Sequence, residues 1–280
     1  MRRLSASLFG IFSRPPMEKE WILFQFYHWV LDDERGAFRK QLQFLRRHGD
    51  FISLDDAISA LQSPSDIGGR YFCVTFDDGF KNWITNAVPV LKELDVPAAF
   101  FLPTKYIGLD LDRDWGKIAP FYQSSWGRYG RFFEFLNWDE CRQIAAEGFT
   151  LGSHTCSHAR LTSLESGEAE EELQLSKQTI EEQVGRPCRH FCCPWGKSVR
   201  DFDPAVHPEM ARRAGYVSFL TTDYGLNLPG GSAFAIKRIG TDPDLRLSML
   251  RYTLFPSWWR SRRERLAKAE HETGHALARV

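Results

Sequence analysis

Short apolar runs that alternate with longer amphipathic segments constrain this chain more than any other feature. Trp21–Tyr27 (WILFQFY), Arg70–Phe76 (RYFCVTF) and Val96–Leu102 (VPAAFFL) lack the polar alternation of a half-exposed strand. Both faces of such strands must therefore be covered. Phe149–Gly152, Arg189–Cys193 and Tyr216–Thr221 read as further, shorter strands. Between them the spacing predicts helices over Glu34–His48, Leu54–Leu61, Asn82–Leu94, Asn137–Glu147, Ser163–Val184 and Pro204–Ala214. Gly49, Gly148, Gly185 and Gly215 stop four of these, and Pro89 bends or interrupts another. The gaps are too long for hairpins, so the strands pair in parallel through helical crossovers. About seven such units in one domain predict an α/β fold closed, or nearly closed, into a barrel. No G-x-G-x-x-G follows the first strand and no Walker loop occurs, so nucleotide binding lacks support.

Charge excludes other classes. Lys plus Arg is 36 and Asp plus Glu is 36, which leaves neither a polybasic nucleic-acid binder nor a disordered acidic chain. No nucleic-acid partner is expected. The six cysteines, Cys73, Cys141, Cys156, Cys188, Cys192 and Cys193, form no C-x-x-C pair. They read as reduced thiols filling apolar sites, the vicinal pair included. Arg2 and Arg3 precede an apolar patch, Leu4–Phe12, but no small-residue cleavage site follows before Arg14-Pro15-Pro16. The expectation is a cytoplasmic protein, with a secretory leader as the alternative. The expected organisation is a tail over 1–20, a barrel over 21–245 and a basic aromatic tail over 246–280. In that last tail Trp258 and Trp259 adjoin Arg260, Arg262, Arg263 and Arg265. This suits peripheral contact with the inner face of a membrane; the alternative, which has the edge, is a charged helix with tryptophans docked on the barrel.

In α/β barrels the chemistry sits at the carboxyl ends of strands, so the polar residues just after each apolar run are the candidates. They are His28, the pair Asp77-Asp78, His154 with His158, and the turn Pro194-Trp195-Gly196. If the segment around His154 and His158 is a helical turn, both imidazoles face one way and can share a metal. A carboxylate is the usual third ligand, and adjacent side chains at a strand end diverge. One aspartate can then bind metal while the other faces substrate.

Thr75-Phe76-Asp77-Asp78-Gly79, Ser153-His154-Thr155-Cys156-Ser157-His158 and Phe191-Cys192-Cys193-Pro194-Trp195-Gly196 resemble, in order and spacing, three motifs of the polysaccharide deacetylase family, that of the nodulation-type chitooligosaccharide deacetylases. The resemblance covers roughly Tyr71 to Gly240. It implies a distorted (β/α)7 barrel that hydrolyses an N-acetyl, less often an O-acetyl, group on a sugar in surface polysaccharide assembly. It implies that Asp78, His154 and His158 bind zinc or another divalent ion such as Co2+ or Ni2+, and that Asp77 is the general base. Trp195, with Pro194, would line the site, and the Trp195 N–H would help hold the oxyanion. An N-acetylated sugar is the implied substrate.

Two positions depart from the family pattern. The usual members carry an Arg after the aromatic of the third motif, where it orients the base; here Cys192 stands there, and Arg238 is the candidate substitute, its alternative an ordinary ion-paired Arg. The usual members also keep an acid histidine on a late strand, and none follows Gly196 in such a place. Phe26-Tyr27-His28 instead resembles the permuted deacetylases of poly-N-acetylglucosamine export, so His28 is assigned as the general acid; the alternative is a structural strand-end histidine. The aromatic segment Lys105–Asn137 either stacks sugars or covers the barrel with a small core of its own.

Overall fold

A computed structural model describes residues 20–63, 67–126 and 134–254. The leader-like patch, Tyr129, Phe132 and Phe133 of the aromatic segment, and Trp258, Trp259 and the arginines after them lie outside the described residues.

The barrel strands are β1 (Trp21–Tyr27), β3 (Arg70–Phe76), β4 (Ala98–Leu102), β5 (Thr150–Ser153), β6 (His190–Cys192), β7 (Ser218–Leu220) and β8 (Arg238–Gly240). They run in the order β7-β6-β5-β4-β3-β1-β8, all neighbours parallel. A two-residue strand, β2 (Asp50–Phe51), pairs on the outside of β3. Just before β8 the chain meets β7: the Thr221 N–H donates to the Ile236 carbonyl (2.9 Å) and the Ile236 N–H to the Phe219 carbonyl (3.1 Å). Seven strands thus form a nearly closed, distorted (β/α)7 barrel. Among the described residues eight α-helices accompany it: α1 (Arg35–Arg46), α2 (Leu54–Gln62), α3 (Val88–Glu93), α4 (Trp115–Phe121), α5 (Trp138–Ala146), α6 (Ser166–Val184), α7 (His207–Arg213) and α8 (Leu247–Leu254).

Local sequence explains most boundaries. Ser53 caps α2 by accepting from the Asp56 N–H, and Asn137 with Glu140 forms a reciprocal capping box on α5. Gly185 ends α6 in the left-handed conformation. The helix expected over Asn82–Leu94 is divided into a π-helical turn, Trp83–Ala87, and α3, which starts beside Pro89. A proline has no N–H to give the preceding turn, so the ladder restarts there. The helix expected from Pro204 begins at His207, because Asp203 caps a turn first: the Ala205 N–H donates to its Oδ1 (2.8 Å). The seventh strand, β8, has only three residues, too few for an apolar run to announce it. α8 begins just past the expected end of the barrel and buries Leu250 and Leu254. No described helix is long and apolar enough to cross a membrane.

The opposite, N-terminal end of the barrel is plugged by polar groups. His190 and Ser218, opposite each other on β6 and β7, are fully buried. The His190 Nδ1 lies 2.9 Å from the Ser218 Oγ and its Nε2 lies 3.2 Å from Asp55 Oδ1 on α2, with the Arg189 Nη1 2.7 Å from the same oxygen. The order Ser-His-Asp imitates a hydrolytic triad, but the serine has no access to solvent. The cluster is a latch between α2 and strands more than 130 residues later. The hydrogen bond from His190, helped by the His190 and Arg189 charges against burial, holds the Asp55 carboxyl below its usual range. A carboxyl more acidic when folded than when unfolded adds stability above its unfolded value, and loses it as pH falls through the folded value. Thermal melts of Asp55→Asn against the wild type should therefore show a lower Tm at pH 7, with the gap closing below about pH 4; a gap that does not depend on pH would refute this account of the latch.

Candidate active site

At the other end of the barrel, β3 keeps its ladder to Asp77, whose N–H donates to the Tyr27 carbonyl (3.0 Å). The next residue abandons the strand: Asp78 has φ 88° and Gly79 φ 75°. At φ 75° a side chain at position 79 would be strained, and its Cβ would lie 2.8 Å from the Ile107 Cδ1, which would have to shift. The two adjacent carboxylates consequently point to different partners.

Asp77 meets Arg238 from β8. The guanidinium donates to both carboxylate oxygens, Nη1 to Oδ1 at 2.8 Å and Nη2 to Oδ2 at 2.7 Å. It also donates from Nη1 to Thr75 Oγ1 (3.1 Å), from Nη2 to Cys192 Sγ (2.9 Å) and from Nε to the Thr221 carbonyl (2.8 Å). These five contacts use all five guanidinium N–H groups, and the Phe26 ring lies 4.5 Å from the charge centre. Arg238 is 1% exposed, so it sits beneath Asp77 and touches no substrate space. Burial raises the Asp77 carboxyl, but the Arg238 charge and its hydrogen bonds outweigh this, and the group stays below its usual range. Cys192 occupies the place where the third motif usually has its arginine, and its small side chain leaves room for Arg238 arriving from another strand.

Asp78 meets the histidines. Its Oδ1 lies 3.5 Å from His154 Nε2 and 3.2 Å from His158 Nε2. All three residues are buried, and one donor atom from each falls within 4.8 Å of the others. The His154 Nδ1 lies 2.7 Å from the Cys192 carbonyl, which can only accept, so Nδ1 carries the hydrogen and Nε2 is the atom aimed at Asp78. Burial opposes the Asp78 charge, yet His158 and His154 hold its carboxyl well below the usual range. Burial lowers the His158 imidazole despite Asp78. One carboxylate and two imidazoles converging through Nε2 form a donor set that fits a divalent ion. Asp77, His154 and Cys192 also lie close together, but there Arg238 already donates to both Asp77 and Cys192, and its charge would repel a cation.

The segment from His154 to His158 is not the helical turn considered from the spacing. It is a loop in which Thr155 (φ 62°) and His158 (φ 60°) adopt left-handed backbone. Glu172 on α6 braces it, accepting from the N–H groups of Cys156 and Ser157 (both 2.8 Å) and from the Ser157 hydroxyl (2.7 Å). Cys156 turns toward α6 and stays out of the ligand cluster. Trp195 is left-handed too, at φ 63°. Gly196 follows at φ 69°, where a Cβ would lie 2.7 Å from the Thr222 nitrogen. The Thr222 Oγ1 bonds the Trp195 carbonyl (2.5 Å), and the Gly196 N–H bonds that of Pro194 (2.6 Å). Among the described residues six non-glycine positions have positive φ, and Asp78, Thr155, His158 and Trp195 are four of them. Each such residue costs about 1–3 kcal/mol, and such strain gathers where function requires an exact placement of groups.

His28 is half-buried at the end of β1, its carbonyl accepting from Trp83 Nε1 (2.7 Å). Its imidazole is near enough to both aspartates to help hold each carboxyl down. Trp195 stacks beside His158, with ring centroids 5.5 Å apart. The aromatic segment builds a small core in which Phe121 packs on Tyr106, Phe135 and His158 at 4.9, 5.2 and 5.0 Å. Cys192 and Cys193 are buried free thiols, and burial pushes both well up. Several contributors carried no signal of their own in the sequence. Thr75, Phe26 and Thr221 surround Arg238, Thr222 clamps the Trp195 turn, and Glu172 braces the histidine loop. Thr75 and Phe26 stood inside quoted motifs, and the other three did not.

The sequence profile of the polysaccharide deacetylase family matches residues 66–217. YxkH of Bacillus subtilis (strain 168), which carries the family's name by inference, is 23% identical over 213 residues, 75% of this chain and 66% of its own length. An uncharacterized 30.6 kDa protein of Geobacillus stearothermophilus is 26% identical over 167 residues, 59% of this chain. The chain thus spans less than two thirds of these relatives, 66% and 53%. In structure, IcaB from Ammonifex degensii superposes with a TM-score of 0.67 at 22% identity, over 86% of this chain and 97% of that one. PplD of Streptococcus pyogenes, solved in complex with acetate, gives 0.65 at 19%, over 85% and 99%. These two likenesses establish the shared fold. Since the family profile spans more than half of the residues, strand-end motifs included, the chain belongs to the polysaccharide deacetylase family.

Proposed function

We propose that this deacetylase is a metal-dependent hydrolase that removes N-acetyl groups from an amino sugar or glycan during the assembly of a surface polysaccharide. The observation that carries this reading is the divergence of Asp77 and Asp78 at one strand end, one held by an arginine and the other facing two imidazoles. Asp78, His154 and His158 would hold the ion. When bound, a divalent metal there supplies a Lewis acid and lowers the pKa of a water. Zn2+ suits the donor set, and Co2+ or Ni2+ accept similar ligands.

The remaining work falls to the chain's own groups. Asp77, ionised and fixed in its plane by Arg238, accepts the proton of the attacking water. The Trp195 N–H, presented by the strained turn after Pro194, donates to the oxyanion as the carbonyl becomes tetrahedral. An amine leaves poorly without a proton, and His28, near both aspartates, would deliver it to nitrogen. The same constellation would cleave an O-acetyl ester, whose leaving group needs less help. Acetate release from matched N-acetyl and O-acetyl glycosides by the metal-loaded protein tests the reading, and release from esters alone would overturn it in favour of an esterase.

His154→Ala should lower bound divalent metal, measured by elemental analysis, by at least tenfold; retention of full metal content would remove His154 from the ligand set. For His28→Ala, kcat on an N-acetyl substrate should fall by about 10²–10⁴, with metal content unchanged and a smaller loss on an O-acetyl ester. Equal losses on the two substrates would show that His28 is not the acid. Arg238→Met leaves Asp77 buried without its partner, which costs about 3–5 kcal/mol of stability. If Arg238 stands in for the family arginine, adding Cys192→Arg should restore part of both Tm and kcat, whereas a double variant no better than Arg238→Met would separate the two positions.

A further inference from the structure

A cavity of about 440 Å³ opens beside the site, within the 300–1,000 Å³ range of small-ligand pockets. Its walls include His158 and Trp195 from the site, Tyr106 and Ser157, and two cations, Lys105 and Arg160. Among the described residues no carboxylate lines it. Three acids behind its walls face other groups: Asp78 faces His154 and His158, Glu172 braces the loop behind Ser157, and Asp201 takes two hydrogen bonds from Arg200 and one from the Lys197 N–H. Arg160 is already held in place. Its guanidinium lies 4.7 Å from the Trp195 ring centroid, and its Nε is 3.4 Å from Asp201 Oδ1. A stacked arginine loses little freedom when it grips an anion, and its planar fork matches phosphate oxygens. Lys105 stands exposed on the rim, on the loop after β4 where its N–H donates to the Cys156 carbonyl (2.9 Å). A neutral glycan offers these two cations hydroxyl and amide oxygens as acceptors but no opposite charge.

We propose that this cavity is a subsite for an anionic substituent, a phosphate ester attached to the acetylated sugar, so that the preferred substrate is an N-acetylamino-sugar phosphate or diphosphate and not a neutral oligomer. The proposal rests on the deacetylase reading and names its substrate class. The sugar stacks on Trp195 with its acetamido group toward His154 and His158, and its phosphate lies between Arg160 and Lys105. A free sugar phosphate and the head of a nucleotide- or lipid-linked sugar share this chemistry.

Binding can be measured without turnover. Chelator-treated protein, from which no metal-held phosphate can arise, is titrated by calorimetry with N-acetylglucosamine 1-phosphate, its uncharged methyl glycoside and UDP-N-acetylglucosamine. The monophosphate should bind at least tenfold more tightly than the methyl glycoside, and the advantage should shrink with added salt. Arg160→Gln and Lys105→Gln should each cut that ratio by about threefold or more, and the double variant should abolish it. Arg160→Lys, which keeps the charge but loses the fork, should fall between. A UDP-sugar that binds more tightly than the monophosphate points to a diphosphate-linked carrier. Equal affinity for charged and uncharged glycosides, or an advantage that survives in the double variant, overturns the proposal. Acetate release from the methyl glycoside by metal-loaded protein is scored separately, so failure of the deacetylase reading and failure of the anionic subsite give different results.

Discussion

The buried pair between Arg238 and Asp77 organises the rest of the site. An arginine taken wholly out of water is tolerable only if its charge and every N–H are matched, since breaking a buried pair costs about 3–5 kcal/mol. Here the matching groups come from three strands, Asp77 and Thr75 from β3 and its end, Cys192 from β6 and the Thr221 carbonyl after β7, and the arginine reaches them from a fourth, β8. The pair therefore reads out the barrel's register. A one-residue slip of β8 would turn Arg238 outward and leave the Asp77 carboxylate buried alone. The same bidentate grip fixes the plane of the carboxylate, so one contact serves both closure and orientation.

On the other side of the reversal at Asp78 the construction principle differs. The two histidines are aligned by a loop whose left-handed residues are held from outside, by Glu172 on α6 and by hydrogen bonds from the loop after β4. Strained backbone persists only where surrounding contacts over-determine it. The imidazoles are consequently set by a helix and a neighbouring loop, and the Asp77 carboxylate by an ion pair inside the barrel. The two supports share little beyond Cys192, whose thiol accepts from Arg238 and whose carbonyl accepts from His154.

Much of this was legible in the sequence, and the exceptions have physical reasons. β1 and β3 could be bounded to the residue, because a strand covered on both faces is an uninterrupted apolar run. β8 could not, since three residues ending in glycine carry no period. Asp77, Asp78, His154 and His158 could be singled out by their position after strands. The manner in which the histidines come together could not, because a spacing of four residues suits a helical turn and this loop equally. The absence of an arginine at position 192 signalled that another must serve, yet Thr75, Phe26 and Thr221 became partners only through strand pairing. Lys105 and Arg160 lie 55 positions apart and share a cavity for the same reason.

The position of Arg238 also sets an order of events. Its partner lies 161 residues earlier in the chain, and contacts that distant form only after a long loop has closed. Six of the seven barrel strands can be synthesised and paired while Asp77 still lacks its counter-charge. A chain stalled before β8 would have both aspartates and both histidines at hand, but nothing to hold Asp77 in its plane. The carboxylate beside the histidines thus takes up its final orientation only when the last strand docks.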